Sequence, residues 1–141
     1  MRLGWKAKLY LGVAGTAPSP PAGEITKIKD VSIALTHSEQ DATLRSSGGV
    51  SEFIQGMQGR DIEFDMPTDR ENPNYVALRT SFLTGNAVAI LALDEESGEG
   101  PDGDFAVFDF SRSEPLDGIM MTKVKIKPTP STRPQDWHTP A

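Results

Sequence analysis

The chain has 141 residues, of which 37% are hydrophobic, enough for one modest core and for one domain over residues 1–141. Its net charge of −6 argues against a basic face that grips nucleic acid or anionic lipid. With no cysteine and two histidines, disulfide scaffolds, thiol catalysis and multi-histidine metal sites are excluded. The apolar runs are too short for a membrane span, and the first residues lack the apolar stretch of a signal peptide.

The first predicted elements are strands on either side of a proline-rich segment. Residues 5–11 begin with apolar and polar residues in alternation, which predicts a strand. Residues 12–23 contain three prolines, so they form a loop or an extended arm rather than part of a sheet. The alternation returns between 30 and 37, which predicts a half-buried strand, and residues 41–45 are a further strand candidate.

The segment 46–59 reads SSGGVSEFIQGMQG and is predicted to be a flexible loop. It carries four large apolar side chains that a solvated loop has little reason to display: Val50, Phe53, Ile54 and Met57. Two interpretations remain open. The loop either folds back over the core of its own subunit or docks on another subunit.

The middle of the chain predicts a strand, a helix and a second strand. Residues 60–66 alternate strictly between apolar and charged side chains, the strongest period-two pattern in the sequence. A helix is predicted over about 73–84, because Asn72 and Pro73 suit its start and Gly85 suits its end. The wholly apolar run at 87–93 predicts a strand covered on both faces.

The last third predicts two more strands, at 105–110 and 119–127, joined by turns. The preceding residues 94–104 hold six acids and no base, which indicates an exposed hairpin loop or, as the alternative, a calcium site without the EF-hand spacing. Residues 128–141 contain four prolines and an isolated Trp137, so we expect a C-terminal arm that does not fold alone.

Together these elements predict a mainly β (α+β) fold, an antiparallel sandwich or barrel of about six to eight strands with one flanking helix. Three segments suit a self-contained monomer poorly: 12–23, 46–59 and 128–141. Because partner subunits can bury such segments, the sequence indicates an assembly with a long inter-subunit loop and terminal arms.

No catalytic, cofactor-binding or metal-binding residue is expected. His37 with Asp41 is the one conceivable catalytic pair, and a polar residue at a strand end is the plainer interpretation of this histidine. Asp61, Glu63 and Asp65 share one strand face, where they could serve glycoside hydrolysis or, more simply, form a solvated or interface face. Non-enzymatic assembly is therefore the expected role.

Several segments resemble phage tail tube proteins. They are IKDVSIAL at 28–35, DATLR at 41–45, GRDIEF at 59–64, AVAILALD at 87–94 and FDFSRSEPLD at 108–117. The ending Lys127-Pro128-Thr129 and the proline-rich tail with its tryptophan are similar too, whereas the loop 94–104 is richer in acids than the family pattern.

The resemblance implies a structural subunit. Six copies would form a ring, and rings would stack into a hollow tube whose inner barrel lets DNA pass without sequence-specific binding. An acidic lumen would let DNA slide, with either Glu39 and Asp41 or Asp61, Glu63 and Asp65 facing it. Loops and arms would reach neighbours through the apolar anchors Val50, Phe53, Ile54, Met57 and Trp137.

The resemblance also implies a setting. Tape-measure, tail-tip and terminator proteins are the expected partners, and the subunit would be made in the bacterial host cytoplasm and end in the virion tail. The nearest alternative is the tube of a contractile injection, secretion or tailocin particle with another cargo. An alternative of a different class is a carbohydrate- or calcium-binding β-sandwich module.

Overall fold

A computed structural model describes residues 4–18, 23–95, 98–114, 116 and 118–139. Parts of the proline-rich arm, of the acidic loop and of the FDFSRSEPLD segment therefore lie outside the described residues. Short 3₁₀ helices cover Gly4–Lys6 and Arg45–Ser47. The helix and strands, in chain order, are β1 (Lys8–Val13), β2 (Lys29–Asp41), β3 (Phe53–Pro67), α1 (Pro73–Thr84), β4 (Val88–Leu93), β5 (Gly100–Ser113), β6 (Met121–Pro128) and β7 (Asp136–His138).

The seven strands form one connected antiparallel sheet in the order β1-β4-β5-β6-β3-β2, with β7 paired to β5 beyond the end of β6. This confirms the expected mainly β fold with one helix, although the strands belong to one sheet rather than two stacked ones. Strands β1 and β2 end the order, yet residues of both line one groove of about 330 Å³. The sheet is therefore rolled, so that its two ends face each other.

One face of the sheet carries the core, and α1 packs against that face. Phe64 of β3 lies opposite Val124 of β6, which in turn lies opposite Phe110 of β5, so these three residues share a face. Tyr75 of α1 places its ring 5.5 Å from that of Phe110, and Leu78 is fully buried. The opposite face of β3, β6 and β5 is therefore the one that the helix leaves uncovered.

Local signals at both ends account for the agreement between the predicted and observed helix. The Asn72 side chain accepts a hydrogen bond from the Asn74 backbone N–H at 3.1 Å, and Pro73 follows it. Gly85 ends the helix in the left-handed region at φ 79°, where glycine carries no steric penalty.

Three boundaries differ from the sequence-based expectation. Residues 42–45 are not a strand, because β2 ends at Asp41, whose carboxylate accepts a hydrogen bond from the Thr43 N–H and turns the chain toward a 3₁₀ helix. Residues 53–59, predicted as a loop, belong to β3. Residues 100–104, predicted as part of an exposed acidic loop, belong to β5, where Gly100 and Asp104 are buried.

Candidate assembly surfaces

A two-stranded ribbon extends beyond the sheet. We define the ribbon as residues 36–59, in which the end of β2 and the beginning of β3 are joined by 42–52. Within the described residues, β6 pairs with β3 only from Ile62 to Pro67, so the ribbon lies beyond the last residue pair between these two strands. An isolated hairpin of this kind is marginally stable alone and gains from a further partner.

Two glycines allow the ribbon strands to approach each other closely. A Cβ on Gly56 would lie 2.1 Å from the Ser38 hydroxyl oxygen, and one on Gly59 would lie 2.7 Å from that of Thr36. The Ser38 hydroxyl instead accepts a hydrogen bond from the Met57 N–H at 3.0 Å, next to an irregularity in the strand register. Small residues therefore determine the ribbon geometry, and a search for hydrophobic periodicity does not detect them.

The predicted apolar anchors of segment 46–59 lie on this ribbon, exposed. Their exposed fractions run from 58% to 87%, at Phe53, Ile54, Val50 and Met57. In this single chain the segment does not fold back over its own core. These exposures disagree with the first of the two interpretations that the sequence left open, and docking on another subunit stays a prediction.

The second surface is the sheet face opposite the core, which we call the charged face. Alternation in β3 places Asp61, Glu63 and Asp65 there, and alternation in β6 places Lys123 and Lys125 beside them. Lys125 lies between Glu63 of β3 and Asp109 of β5 in the register of the three strands. The charged face consists of Asp61, Glu63, Asp65, Asp109, Lys123, Lys125 and Lys127.

An ion pair joins two strands on this face. The Lys123 ammonium lies 2.6 Å from a Glu63 carboxylate oxygen. The hydrogen bond that Lys123 donates to Glu63 raises the pKa of Lys123 above its ordinary value, and the charges of Glu63, Asp65 and Asp109 add to that shift. The face is therefore mixed in charge, where the sequence had suggested acids alone.

The two alternative sets of acids proposed for a lumen lie on different parts of the sheet. Asp61, Glu63 and Asp65 belong to the charged face in the inner part of β3, whereas Glu39 and Asp41 lie on the ribbon. The strand register is irregular between His37 and Glu39, so the two sets do not belong to one regular strand face. Which set would face a conduit stays a prediction.

The C-terminal segment is docked on the sheet of its own subunit, unlike the separate arm that its prolines predict. Arg133 donates hydrogen bonds to Asp104 at 2.9 Å and to Asp102 at 2.8 Å. Gln135 donates to the Asp104 carbonyl at 2.8 Å, and β7 pairs with the beginning of β5. Trp137 thereby reaches the apolar groove between β1 and β2, where it is 37% exposed.

Asp104 connects both proline-rich segments to the sheet. Its carboxylate, fully buried, also accepts a hydrogen bond from the Gly15 N–H at 2.8 Å, so it holds the start of the 12–23 segment as well. Burial raises the pKa of Asp104, but hydrogen bonds from Ser131, Arg133 and Gly15 outweigh that effect and leave the pKa below its ordinary value. The carboxylate is therefore held in its charged form.

The remaining candidate groups are not brought into a reactive arrangement. The His37 ring nitrogen Nδ1 lies 3.3 Å from the Gly56 carbonyl oxygen on the exposed ribbon, whereas Asp41 bonds Thr43. Among the residues described, no three histidine or acidic side chains cluster closely enough to hold a metal ion. The described ranges contain no membrane-spanning helix, and α1 is 12 residues long.

Sequence reasoning missed the residues that dock the C-terminal segment. Arg60, Asp102, Asp104 and Arg133 carry no local signal, since their partners lie 29 to 76 positions away along the chain. The lysines of β6 did have a signal. The pattern Lys-x-Lys-x-Lys at 123–127 complements the alternating acids of 61–65, which predicts two neighbouring strands.

The molecule is thus a rolled antiparallel sheet with one helix and two exposed surfaces. No protein-family profile and no curated protein matches its sequence. Solved structures do match. A chain from the tail of an empty gene transfer agent (GTA) particle, determined with C6 symmetry, superposes with a TM-score of 0.78 at 14% identity, over 99% of this chain and 100% of that chain.

Two further structures have the same fold. The SPP1 tail tube gives a TM-score of 0.67 at 11% identity, over 90% of this chain and 75% of that chain. The baseplate of the anti-feeding prophage (AFP) gives 0.53 at 9% identity, over 94% of this chain and 91% of that chain. At these identities the likeness establishes the fold: the chain folds as these phage-tail and tail-like chains do.

Proposed function

We propose that the chain is the subunit of a phage or phage-like tail tube, a non-enzymatic protein that assembles into six-membered rings stacked as a hollow conduit for DNA. The observation that carries this proposal is the exposed apolar ribbon on a sheet of tail-tube fold. Four large apolar side chains in one protruding segment call for a partner surface, and a second copy of the chain supplies one.

Two features of the likeness support the six-membered ring. The match to the GTA tail chain extends over essentially the whole of both chains, and that tail was determined with C6 symmetry. Because the match includes the ribbon and the C-terminal segment, it is not confined to a common sheet. The same likeness supports a place in the tail of a particle.

We assign the subunit contacts to three segments: 12–23, 46–59 and 128–141. Val50, Phe53, Ile54 and Met57 would be buried by a neighbour in the ring or in the next ring, as aromatic and aliphatic anchors are in other interfaces. Trp137 would join them from the apolar groove on which it lies. The charged face would line the conduit, because it is the sheet face that α1 leaves open.

The test is assembly of the full chain, viewed by negative-stain electron microscopy after concentration at moderate salt. Rings or tubes with a central channel are expected. The variant Phe53→Ser/Ile54→Ser/Met57→Ser should remain a folded monomer, because those side chains contribute nothing to the monomer core. A deletion of 46–59 is a blunter test, since it also removes part of β3.

A matched control removes three exposed apolar side chains outside the three assigned segments, as Leu83→Ser/Leu116→Ser/Ile119→Ser. This variant should assemble like the unaltered chain. Tubes of normal length from the ribbon variant, or equal loss of tubes in both variants, would contradict the assignment of the ribbon.

A second candidate is the tube of a contractile injection particle, which the likeness to the AFP baseplate favours. Both candidates assemble through the same surfaces and differ in cargo. Genes for capsid and DNA packaging beside this one would favour the DNA conduit, with tape-measure, tail-tip and terminator proteins as partners and assembly in the host cytoplasm. Genes for an injected protein would favour the second candidate.

A further inference from the structure

The charged face carries a row of three lysines that the net charge of the chain conceals. Lys123, Lys125 and Lys127 alternate along β6 with the buried residues Val124 and Ile126, so the three ammonium groups project from one face. Three cations spaced two residues apart along a strand match the requirements of a phosphate backbone, which binds through charge alone.

Acids on both neighbouring strands flank this row. On the β3 side Lys123 lies opposite Asp65, and Lys125 lies opposite Glu63. On the β5 side Lys125 lies opposite Asp109. Neighbouring strands are about 4.8 Å apart, well inside the screening distance of about 8 Å at physiological salt, so these carboxylates offset the charges of Lys123 and Lys125. Lys127 lies opposite Ala106, and its ammonium lies 5.9 Å from the centre of the Phe108 ring.

We propose that the lysine row of β6 is a polyanion-binding surface that the carboxylates of Asp61, Glu63 and Asp65 hold neutral. The acids act as an intramolecular shield, and the face neither attracts nor strongly repels a phosphate backbone. Direct contact supports this arrangement, since a Glu63 carboxylate oxygen lies 2.6 Å from the Lys123 ammonium nitrogen.

A charged face on which acids and lysines offset each other suits passage of DNA better than a purely acidic face does. A strongly negative face would repel a polyanion and oppose its entry, whereas a lysine row without neighbouring acids would bind and retain it. This biological setting rests on the proposed function, but the chemistry of the face does not. The face is exposed in the single subunit, so its affinity can be measured without any tube.

The experiment measures binding of the dispersed subunit to a fluorescent DNA duplex of about 20 base pairs by anisotropy, at about 50 mM and about 200 mM salt. The shield-neutralised variant is Asp61→Asn/Glu63→Gln/Asp65→Asn. We expect it to bind at least about ten-fold more tightly than the unaltered chain at the lower salt. Its affinity should fall about 40-fold at the higher salt, as a slope near −0.9 per lysine–phosphate contact requires.

Two control variants separate the shield from net charge. The variant Glu39→Gln/Glu52→Gln/Glu71→Gln neutralises the same number of exposed acids away from the charged face and should gain no comparable affinity. Adding Lys123→Gln/Lys125→Gln/Lys127→Gln to the shield-neutralised variant should abolish its gain. Circular dichroism melting verifies the fold of each, and the single variant Glu63→Gln replaces the triple one if the latter fails to fold.

Equal gains in the shield-neutralised and control variants would overturn the proposal, as would a gain that survives removal of the lysines. No gain in a folded shield-neutralised variant would overturn it too. Tube formation is scored separately by electron microscopy. A subunit that forms no tubes but shows the expected binding would refute the proposed function and would still support the proposal for the lysine row.

Discussion

The two halves of β3 differ sharply although they are one continuous strand. From Arg60 to Pro67 every second residue is buried, with Ile62, Phe64 and Met66 at 0% exposure. From Phe53 to Gly59 no residue is buried, and Met57 is 87% exposed. The backbone is extended and hydrogen-bonded to β2 in both halves.

The difference lies in the neighbours of each half rather than in its own propensity for a strand. The inner half is flanked by β6 and covered on its core face by β5 side chains and α1, whereas the outer half has only β2 beside it. Apolar side chains therefore stabilise the core in the inner half of β3, whereas in the outer half they remain exposed. The monomer thus combines a buried core with an exposed apolar ribbon, which is the surface that we propose as an interface.

Truncation of matched phenylalanines should give the largest contrast. Phe64→Ala removes a fully buried ring, so we expect a loss of about 3–5 kcal/mol in the free energy of unfolding. Phe53→Ala removes an exposed ring and should change that free energy by less than about 0.5 kcal/mol. Chemical denaturation of both variants, under conditions that keep them monomeric, measures the difference. Similar losses would show that the ribbon is part of the core after all.

Asp104→Asn should have the next largest effect, since it leaves the Arg133 guanidinium with one fewer buried carboxylate. We expect a loss of about 3 kcal/mol, and faster hydrogen exchange in β7 than in the ribbon. Exchange measured by mass spectrometry tests whether docking of the C-terminal segment is independent of the outer half of β3. Asp102→Asn is the control, with a smaller loss because that carboxylate is partly exposed.

The same carboxylate predicts a pH dependence. The pKa of Asp104 is lower when folded than its unfolded value of about 3.9, so its contribution to stability is fully present above that value. The contribution is lost as the pH falls through the lower folded pKa. Denaturation curves between pH about 7 and about 3 should show a steeper acid loss in the unaltered chain than in Asp104→Asn. Parallel curves would refute this role.

Gly56→Val should have a small effect on the stability of the monomer and should abolish assembly. Its added side chain would collide with Ser38, which disrupts the ribbon pairing but leaves the inner half of β3 in place. The free energy of unfolding should change by less than about 1 kcal/mol, because the ribbon adds little to the core. Gln55→Ala, on the same strand, should assemble normally. Tubes formed by Gly56→Val would show that the ribbon geometry is dispensable.

Local signals made much of the fold predictable from sequence. Asn72, Pro73 and Gly85 determine both ends of the helix through caps within a few residues, and strict alternation marks the inner half of β3. The resemblance to tail tube proteins, found in short motifs, agrees with the fold that solved tail structures share.

The remainder could not be predicted because its causes are distant along the chain. In the sequence Asp104 resembles the other acids of segment 94–104, because its partner Arg133 lies 29 positions away in the C-terminal segment. The ribbon lacks hydrophobic periodicity because, among the described residues, no element covers either of its faces, so the pattern that reveals a half-buried strand does not arise. Which acids line a conduit remains a prediction.

The docking of the C-terminal segment has a consequence for the time order of synthesis. Arg60 and Asp104 are synthesised before the groups that bind them, since the Asp136 carbonyl and the Arg133 guanidinium follow 76 and 29 positions later along the chain. The local hairpin of β2 and β3 can pair before those groups are made. Each nascent chain therefore exposes its apolar ribbon before residues 133–136 complete the contacts of Asp104 and Arg60.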